Sequence, residues 1–430
     1  MTNERQLHCG EVLHLLDNPD SGPDAVQHLI DGAMLVTEGR IEAIGERTTL
    51  LGQLPDDVPV VEHRNALITP GFIDCHVHYP QYNVIASYGE QLLDWLNRYT
   101  FPEEAKFADS RYATAIAKRF LDTLINNGTT TALVFATVHP QSVTSFFEEA
   151  RRRDMRMICG KVMMDRNAPD NLIETPEDSI AQSEELIRQW HKCDRLGYAL
   201  TPRFALTSSE KQLTGTAELL KKYDDVLLHT HLAENQHECQ QVGELFPENR
   251  SYLDVYHQFE LTGERSVFAH SIHLDNEDWR CMQQSCSAIA HCPTSNLFIG
   301  SGLFNLQDAM KHNIRIGLGT DVGGGDSYSM LRTINEAYKI QQLQEFSLNP
   351  MTAFYLVTLG GARTLRLDNH IGNFEPGKEA DFIVLDYTAT TVLKDRIANV
   401  HSIEDKLFVL QMLGDDRAVR QTWINGKPAN

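Results

Sequence analysis

Four short stretches of the 430-residue sequence set metal-ligating or proton-transferring side chains at strand-like spacing. His76-Val77-His78 carries two imidazoles two residues apart, and on a β-strand that period points both to one side. His229-Thr230-His231-Leu232-Ala233-Glu234 repeats the pair and adds a carboxylate three residues further on. Ala269-His270 and Gly319-Thr320-Asp321 bring another imidazole and another carboxylate, each at the end of an apolar run. Imidazoles, a carboxylate and a solvent oxygen suit a borderline divalent ion, with zinc the leading candidate and iron an alternative. Such an ion lowers the pKa of a bound water toward neutrality, so the chemistry expected is hydrolysis. Each stretch also has a plainer reading: a chance pair on a solvent-facing strand, a hydrogen-bonded core histidine pair, or a structural role for His270. Glu234 resists that reading, because an unpaired buried charge is costly. His231 is therefore assigned to the ion and Glu234 to proton transfer.

Positioning these residues requires strands that end together. Eight short apolar runs alternate with helical stretches: 66–78, 129–139, 155–165, 196–204, 226–234, 266–273, 287–296 and 314–321. Stretches such as 109–127, 175–190 and 235–259 are long enough for the crossovers that parallel strands need. Eight such units predict a (β/α)8 barrel of the α/β class. An open doubly wound sheet is the alternative, but no Gly-x-Gly-x-x-Gly follows the first run. Polar residues stand where the runs stop: His76, His78, His139, Asp165, Arg203, His231, Glu234, His270, His291 and Asp321. In a barrel those ends form the functional face, so one cup can collect them. The flanks carry short β-type runs and hairpin signals at Asp31-Gly32, Glu38-Gly39 and Asn425-Gly426. They predict a small β-sandwich domain composed of residues 1–69 and 376–430, around a barrel of residues 70–375.

Composition removes several function classes. A formal charge of −21 repels polyanions, which argues against nucleic acid and anionic membrane as partners. Hydrophobic residues at 42% and charged residues at 23% are ordinary for a folded enzyme. The eight scattered cysteines form no dense framework and read as free thiols of a reducing compartment. The polar start Met-Thr-Asn-Glu-Arg and the lack of a long apolar run predict a cytoplasmic protein.

Pro70-Gly71-Phe72-Ile73-Asp74-Cys75-His76-Val77-His78 resembles the metal signature of the amidohydrolase superfamily, and Ile371–Asp381 followed by Phe382-Ile383-Val384-Leu385 is similar to its return from barrel to β domain. Within that superfamily the chain resembles the guanine deaminase family. The strings that carry this are His78-Tyr79-Pro80-Gln81, Trp95-Leu96-Asn97, Tyr99-Thr100-Phe101-Pro102, Thr201-Pro202-Arg203-Phe204, His229–Glu234 and Gly317–Asp321. The resemblance implies zinc on His76, His78, His231 and Asp321, substrate contacts at Gln81, Arg203, Phe204, Glu234 and His270, a free purine base as the small-molecule partner, and a homodimer. Cys75 departs from the Thr or Ala expected there and should be silent if it packs as a small buried side chain. The His-x-Glu and Pro-Cys-x-x-Cys signature of the other zinc deaminase fold is missing.

The resemblance and the chemistry together predict that guanine is attacked at C2, with Glu234 moving a proton from water to the ring, Asp321 carrying a second proton to departing ammonia, and His270 stabilising the oxygen that adds. Arg203 only donates hydrogen bonds and so favours an acceptor such as O6 over the donor of adenine; its plainer reading is that it balances the local carboxylates. Gln81 addresses another ring edge, and Phe204 or Trp95 stacks on the base. Arg203 at the end of the fourth run should repel a second cation, so one metal is expected, and Lys161 is expected to pair with a carboxylate. The alternatives are a deaminase of a triazine, pterin or modified nucleoside, and a barrel scaffold without catalysis.

Overall fold

Two sheets are built from sixteen strands in the computed structural model, which describes residues 5–89 and 91–430; the polar start at residues 1–4 lies outside the described residues. The strands are β1 (Arg5–Leu15), β2 (Val26–Thr37), β3 (Arg40–Glu46), β4 (Val60–Pro70), β5 (Phe72–His78), β6 (Thr129–Phe135), β7 (Arg156–Gly160), β8 (Val162–Met163), β9 (Gly197–Pro202), β10 (Leu227–Leu232), β11 (Ser266–His270), β12 (Ala288–His291), β13 (Arg315–Leu318), β14 (Phe382–Asp386), β15 (Val419–Ile424) and β16 (Lys427–Pro428).

The parallel sheet runs β5-β6-β7-β9-β10-β11-β12-β13, and β8 extends the third run beyond Lys161 by pairing with β9. β6, with the sequence TTTALVF, is buried at every position, as expected of a strand covered on both faces. The helix Ser110–Asn126 packs Ala113, Ile116, Ala117, Phe120, Leu121 and Leu124 inward at three- and four-residue spacing, and Asp109 caps its start by accepting from the Arg111 N–H. Ring closure brings the ends of β13 and β5 together: the His78 N–H donates to Val322 O and the Asp321 N–H to His76 O, both at 2.9 Å. Glycine is required at that seam, because a Cβ on Gly319 would lie 2.8 Å from the His76 Cβ, and one on Gly317 would lie 2.3 Å from the Cys75 sulfur. Cys75 is fully buried, and all eight cysteines are free. An apolar layer of Ile73, Leu133, Ile158, Ala199, Leu227 and Val267, one from each of six successive barrel strands, packs against Ala362, Leu365 and Ile371.

The second sheet, in the order β16-β15-β14-β4-β1-β2-β3, draws on both chain ends, as the flanking hairpin signals require. One apolar cluster runs along its face from Ile41 on one edge strand to Trp423 near the other edge.

Three details differ from the sequence reading. The first run spans both sheets, since Ala66–Pro70 belongs to β4 and the barrel begins only after Gly71. The stretch 235–259 forms two helices, Gln236–Leu245 and Tyr252–Gln258. The C-terminal flank is not wholly β: Thr391–Ile397 and Ile403–Leu413 are helices, and the second is tied to the helix Met330–Gln342, with Gln411 Nε2 donating to Ile334 O and Asn335 Nδ2 to Met412 O. Among the described residues, no helix is long and apolar enough to cross a membrane.

Candidate active site

The strand ends bring His76, His78, His231 and Asp321 into one cluster. The Nε2 atoms of His76 and His78 are 3.2 Å apart and those of His78 and His231 are 3.3 Å apart; Asp321 Oδ1 lies 3.1 Å from the first and 3.2 Å from the second. Four donors placed about 2.0–2.2 Å from a common centre are separated by roughly these distances. The protonation pattern agrees. His231 Nδ1 donates to Arg203 O at 2.7 Å, because a carbonyl only accepts, so its Nε2 lone pair faces the cluster. Burial pushes the His78 imidazole down to about 3 and His231 well below its ordinary value, keeping both neutral as metal ligands must be. Neutral imidazoles and a carboxylate with this geometry fit a divalent cation.

β5 reaches this arrangement through an irregularity. Ile73 and Cys75 belong to the apolar layer, and a register shift between Asp74 and Val77 lies beside the two histidines, which turn into the cup despite their opposite parity. Asp74, fully buried, accepts from the Thr320 N–H at 3.0 Å and from the Thr320 hydroxyl, fastening β5 to the loop that carries Asp321. Ala233, His270, Ser271 and Asp321 all have left-handed backbone angles, with φ between 46° and 67°. Such conformations in non-glycine residues concentrate where side chains are held for chemistry.

Beside the cluster sits a second carboxyl. Glu234 is 2% exposed; its Oε1 accepts from Ser301 Oγ at 3.1 Å, and its Oε2 lies 3.4 Å from His270 Nε2. Burial first, and the Asp321 charge second, push Glu234 up to about 8. Burial opposes the ionisation of Asp321 too, but His76 and His78 outweigh it and hold that carboxyl well below its ordinary value. His270 Nε2 also stands 3.6 Å from Asp321 Oδ2, and its Nδ1 is 2.9 Å from Asn296 Oδ1.

These groups open onto a cavity lined by Gln81, Trp95, Arg203, Phe204 and Ile299 together with His78, His231, Glu234 and Asp321. Trp95 is fixed by its indole N–H, which donates to Ser87 O at 3.2 Å.

The Amidohydrolase family profile matches residues 67–429. The chain belongs to the amidohydrolase family. This amidohydrolase is 51% identical to the guanine deaminase of Escherichia coli (strain K12) over 417 residues, which cover 97% of this chain and 95% of that protein. It is also 36% identical to the guanine deaminase of Homo sapiens, over 87% of this chain and 85% of that one. Among solved structures, the E. coli guanine deaminase superposes with a TM-score of 0.96 at 50% identity, covering 98% of this chain and 99% of the other. The guanine deaminase of C. acetobutylicum with bound guanine in its active site superposes with a TM-score of 0.89 at 30% identity, covering 99% of each chain. The protein is thus a hydrolase of this family, built on its barrel.

The amidohydrolase cup gathers His76, His78, His231, Glu234, His270, Asp321, Gln81, Arg203, Phe204 and Trp95, but not every polar strand end. His291 turns away and stacks on Phe304 at 4.6 Å, and Asp165 accepts from the Ser209 N–H at 2.7 Å to start a helix. His139 lies outside the donor groups. Lys161 pairs with Glu174 as expected. Arg203 is not a free cation: its Nη1 donates to both oxygens of Glu104, at 2.8 and 3.0 Å, so its charge is not the bar to a second metal. What bears on metal count is that both candidate donor groups among the described residues share His76 and Asp321.

Sequence reasoning overlooked Glu104, Ser301, Asp74 and Glu238. Glu104 stands two residues beyond the string Tyr99–Pro102, and Asp74 stood inside the signature unassigned. Glu238 stands three residues after Asn235 in a capping box, and its Oε2 accepts from the Glu234 N–H at 3.0 Å. Ser301 had no local signal.

Proposed function

We propose that the protein hydrolyses guanine at C2 to xanthine and ammonia, in the breakdown or salvage of purine bases. The observation that carries this reading is a buried carboxyl, Glu234, beside a donor cluster in a cavity that Arg203 and Gln81 also line. The relatives named above support the choice of guanine. One divalent ion, zinc ahead of iron, is assigned to His76, His78, His231 and Asp321; when bound it supplies the Lewis acidity that makes water a nucleophile near neutral pH.

The residues do the rest. Glu234 takes a proton from the attacking water and hands it to the ring nitrogen next to C2. Asp321 passes the second proton to the amino group, which leaves as ammonia. His270 gives a hydrogen bond to the oxygen added at C2, where charge develops in the transition state. Arg203 donates to O6, Gln81 addresses a neighbouring edge, and Phe204 or Trp95 covers a ring face. The family resemblance extends the reading to a homodimer in the cytoplasm, which light scattering and cell fractionation check.

The test is to incubate metal-replete protein with guanine and follow xanthine and ammonia, with adenine, guanosine and ammelide in parallel and Glu234→Gln as the control. Xanthine from guanine, lost in the variant, is expected. Turnover of another amino-heterocycle with guanine untouched would sink the assignment of Arg203 and Gln81 as guanine selectors.

A further inference from the structure

We infer that Glu104 is a positioning residue that sets the pocket's preference for a purine carrying oxygen at C6, acting through Arg203 and Gln81; this rests on the guanine reading above. Glu104 is 1% exposed and sits at the end of the short helix Phe101–Glu104, which no barrel strand supplies. Its Oε1 accepts from Gln81 Nε2 at 3.2 Å and from Arg203 Nη1 at 3.0 Å, and its Oε2 from the same Nη1 at 2.8 Å. One carboxylate therefore holds both proposed selectors.

Each contact limits what the selector can present. A guanidinium has five N–H groups, and drawing the two on Nη1 toward Glu104 leaves those on Nε and Nη2 to meet a ligand. The Phe101 ring, with its centroid 5.3 Å from the guanidinium carbon, supports that plane. Gln81 is held at both ends: its Oε1 accepts from the Gly323 N–H at 3.0 Å while its Nε2 donates to Glu104. Its amide can be oriented only one way, because a backbone N–H cannot accept and a carboxylate cannot donate. Among the described residues, Glu104 is the only carboxylate within ion-pair distance of Arg203. Glu103 cannot stand in for it, being engaged by Lys106, Tyr112 and Asn83. The pair also leaves this wall near neutral, which suits an uncharged base.

Replacing Glu104 with glutamine keeps the shape but sets an NH2 against Nη1, two donors facing each other, and removes the charge that balances the guanidinium. Arg203 and Gln81 then lose their common anchor, and the site loses its grip on O6. The experiment uses the metal-replete full-length protein and Glu104→Gln, reading kcat and KM for guanine and the inhibition constants of hypoxanthine, which keeps the oxygen at C6, and of purine, which lacks it. The expected result is a roughly 10- to 100-fold weakening of hypoxanthine, about what losing one hydrogen bond to a charged group costs, with purine within about threefold. KM for guanine should carry more of the loss than kcat, since the O6 contact is made in ground and transition states alike. Glu104→Asp, which retains the charge, should recover part of the hypoxanthine preference, and it decides the matter if the glutamine variant does not fold. Equal weakening of hypoxanthine and purine in whichever variant folds, or no change in either, would overturn the inference while leaving guanine turnover by the parent protein intact. A parent protein that leaves guanine untouched sinks the functional reading itself.

Discussion

Glu234→Gln keeps the shape of a side chain that is 2% exposed and removes its ability to ionise. Burial first, then the Asp321 charge, raise this carboxyl from an ordinary 4.5 to about 8. At about 1.4 kcal/mol per pKa unit, the folded protein disfavours the ionised form by on the order of 5 kcal/mol. The sign follows from proton binding. Between pH 4.5 and about 8 the native state keeps a proton that the unfolded chain has released, so stability falls as pH rises through that window, and the full cost is present above it. Glutamine carries no such cost. Metal-free Glu234→Gln should therefore be more stable than the metal-free parent at pH 8, by on the order of 4 kcal/mol, and close to it at pH 4.5. Turnover should move the other way, with kcat for guanine falling about 10²- to 10⁴-fold in the metal-replete variant, or roughly 3–5 kcal/mol of barrier. Ammonia release and thermal melts of chelated protein at the two pH values read both effects. A variant that retains its metal and more than a tenth of the parent kcat refutes the proton-transfer role; a lower melting temperature than the parent at pH 8 refutes the burial argument.

Other consequences are as direct. Removing the metal with a chelator should abolish turnover, and readdition of zinc or iron should restore it at one ion per chain; a requirement for two would contradict the sharing of His76 and Asp321 by both candidate donor groups among the described residues. Lys161→Met should leave metal content unchanged and kcat within about threefold, while unpairing Glu174 and costing about 3 kcal/mol in denaturant melts; loss of the metal would make the lysine part of the centre. Glu379 joins the barrel residues Arg156 and Arg195 at the approach to β14; burial opposes its ionisation, but the two arginines outweigh it and hold its carboxyl at about 2. That contribution is fully present above pH 4.5 and lost as pH falls through about 2, so Glu379→Gln should cost about 3 kcal/mol at pH 7, with the gap to the parent closing as the pH falls through that window.

Much of the site was readable because its parts are local. His76 and His78, like His229 and His231, are paired by strand period, and Glu234, Arg203 and Asp321 stand at or just beyond the ends of apolar runs whose burial on both faces marks parallel strands. The return of the C-terminal flank to the N-terminal sheet was legible in turn residues. Periodicity says nothing, however, about an irregularity in pairing. The shift between Asp74 and Val77 depends on how β5 meets β6 across more than fifty residues of chain, and it decides that both histidines face the cup.

The same limit separates Arg203 from the charge balance around it. Its type and place marked it as a donor to a ring acceptor, but only the tertiary structure sets Glu104, 99 residues earlier, against its Nη1. Ser301 reaches Glu234 across 67 residues, from a loop without a recognisable motif. His291 and Asp165 end their runs as His231 does, yet neighbouring packing sets one on Phe304 and makes the other the acceptor for Ser209, the residue that caps a helix. What the sequence determined by itself are the donors and the strands that carry them, because side-chain chemistry and strand period are properties of a few consecutive residues. Which strand ends converge, and what each charge is paired with, belongs to the tertiary structure, because hydrogen bonds and ion pairs act over a few ångströms in space between residues the chain holds far apart.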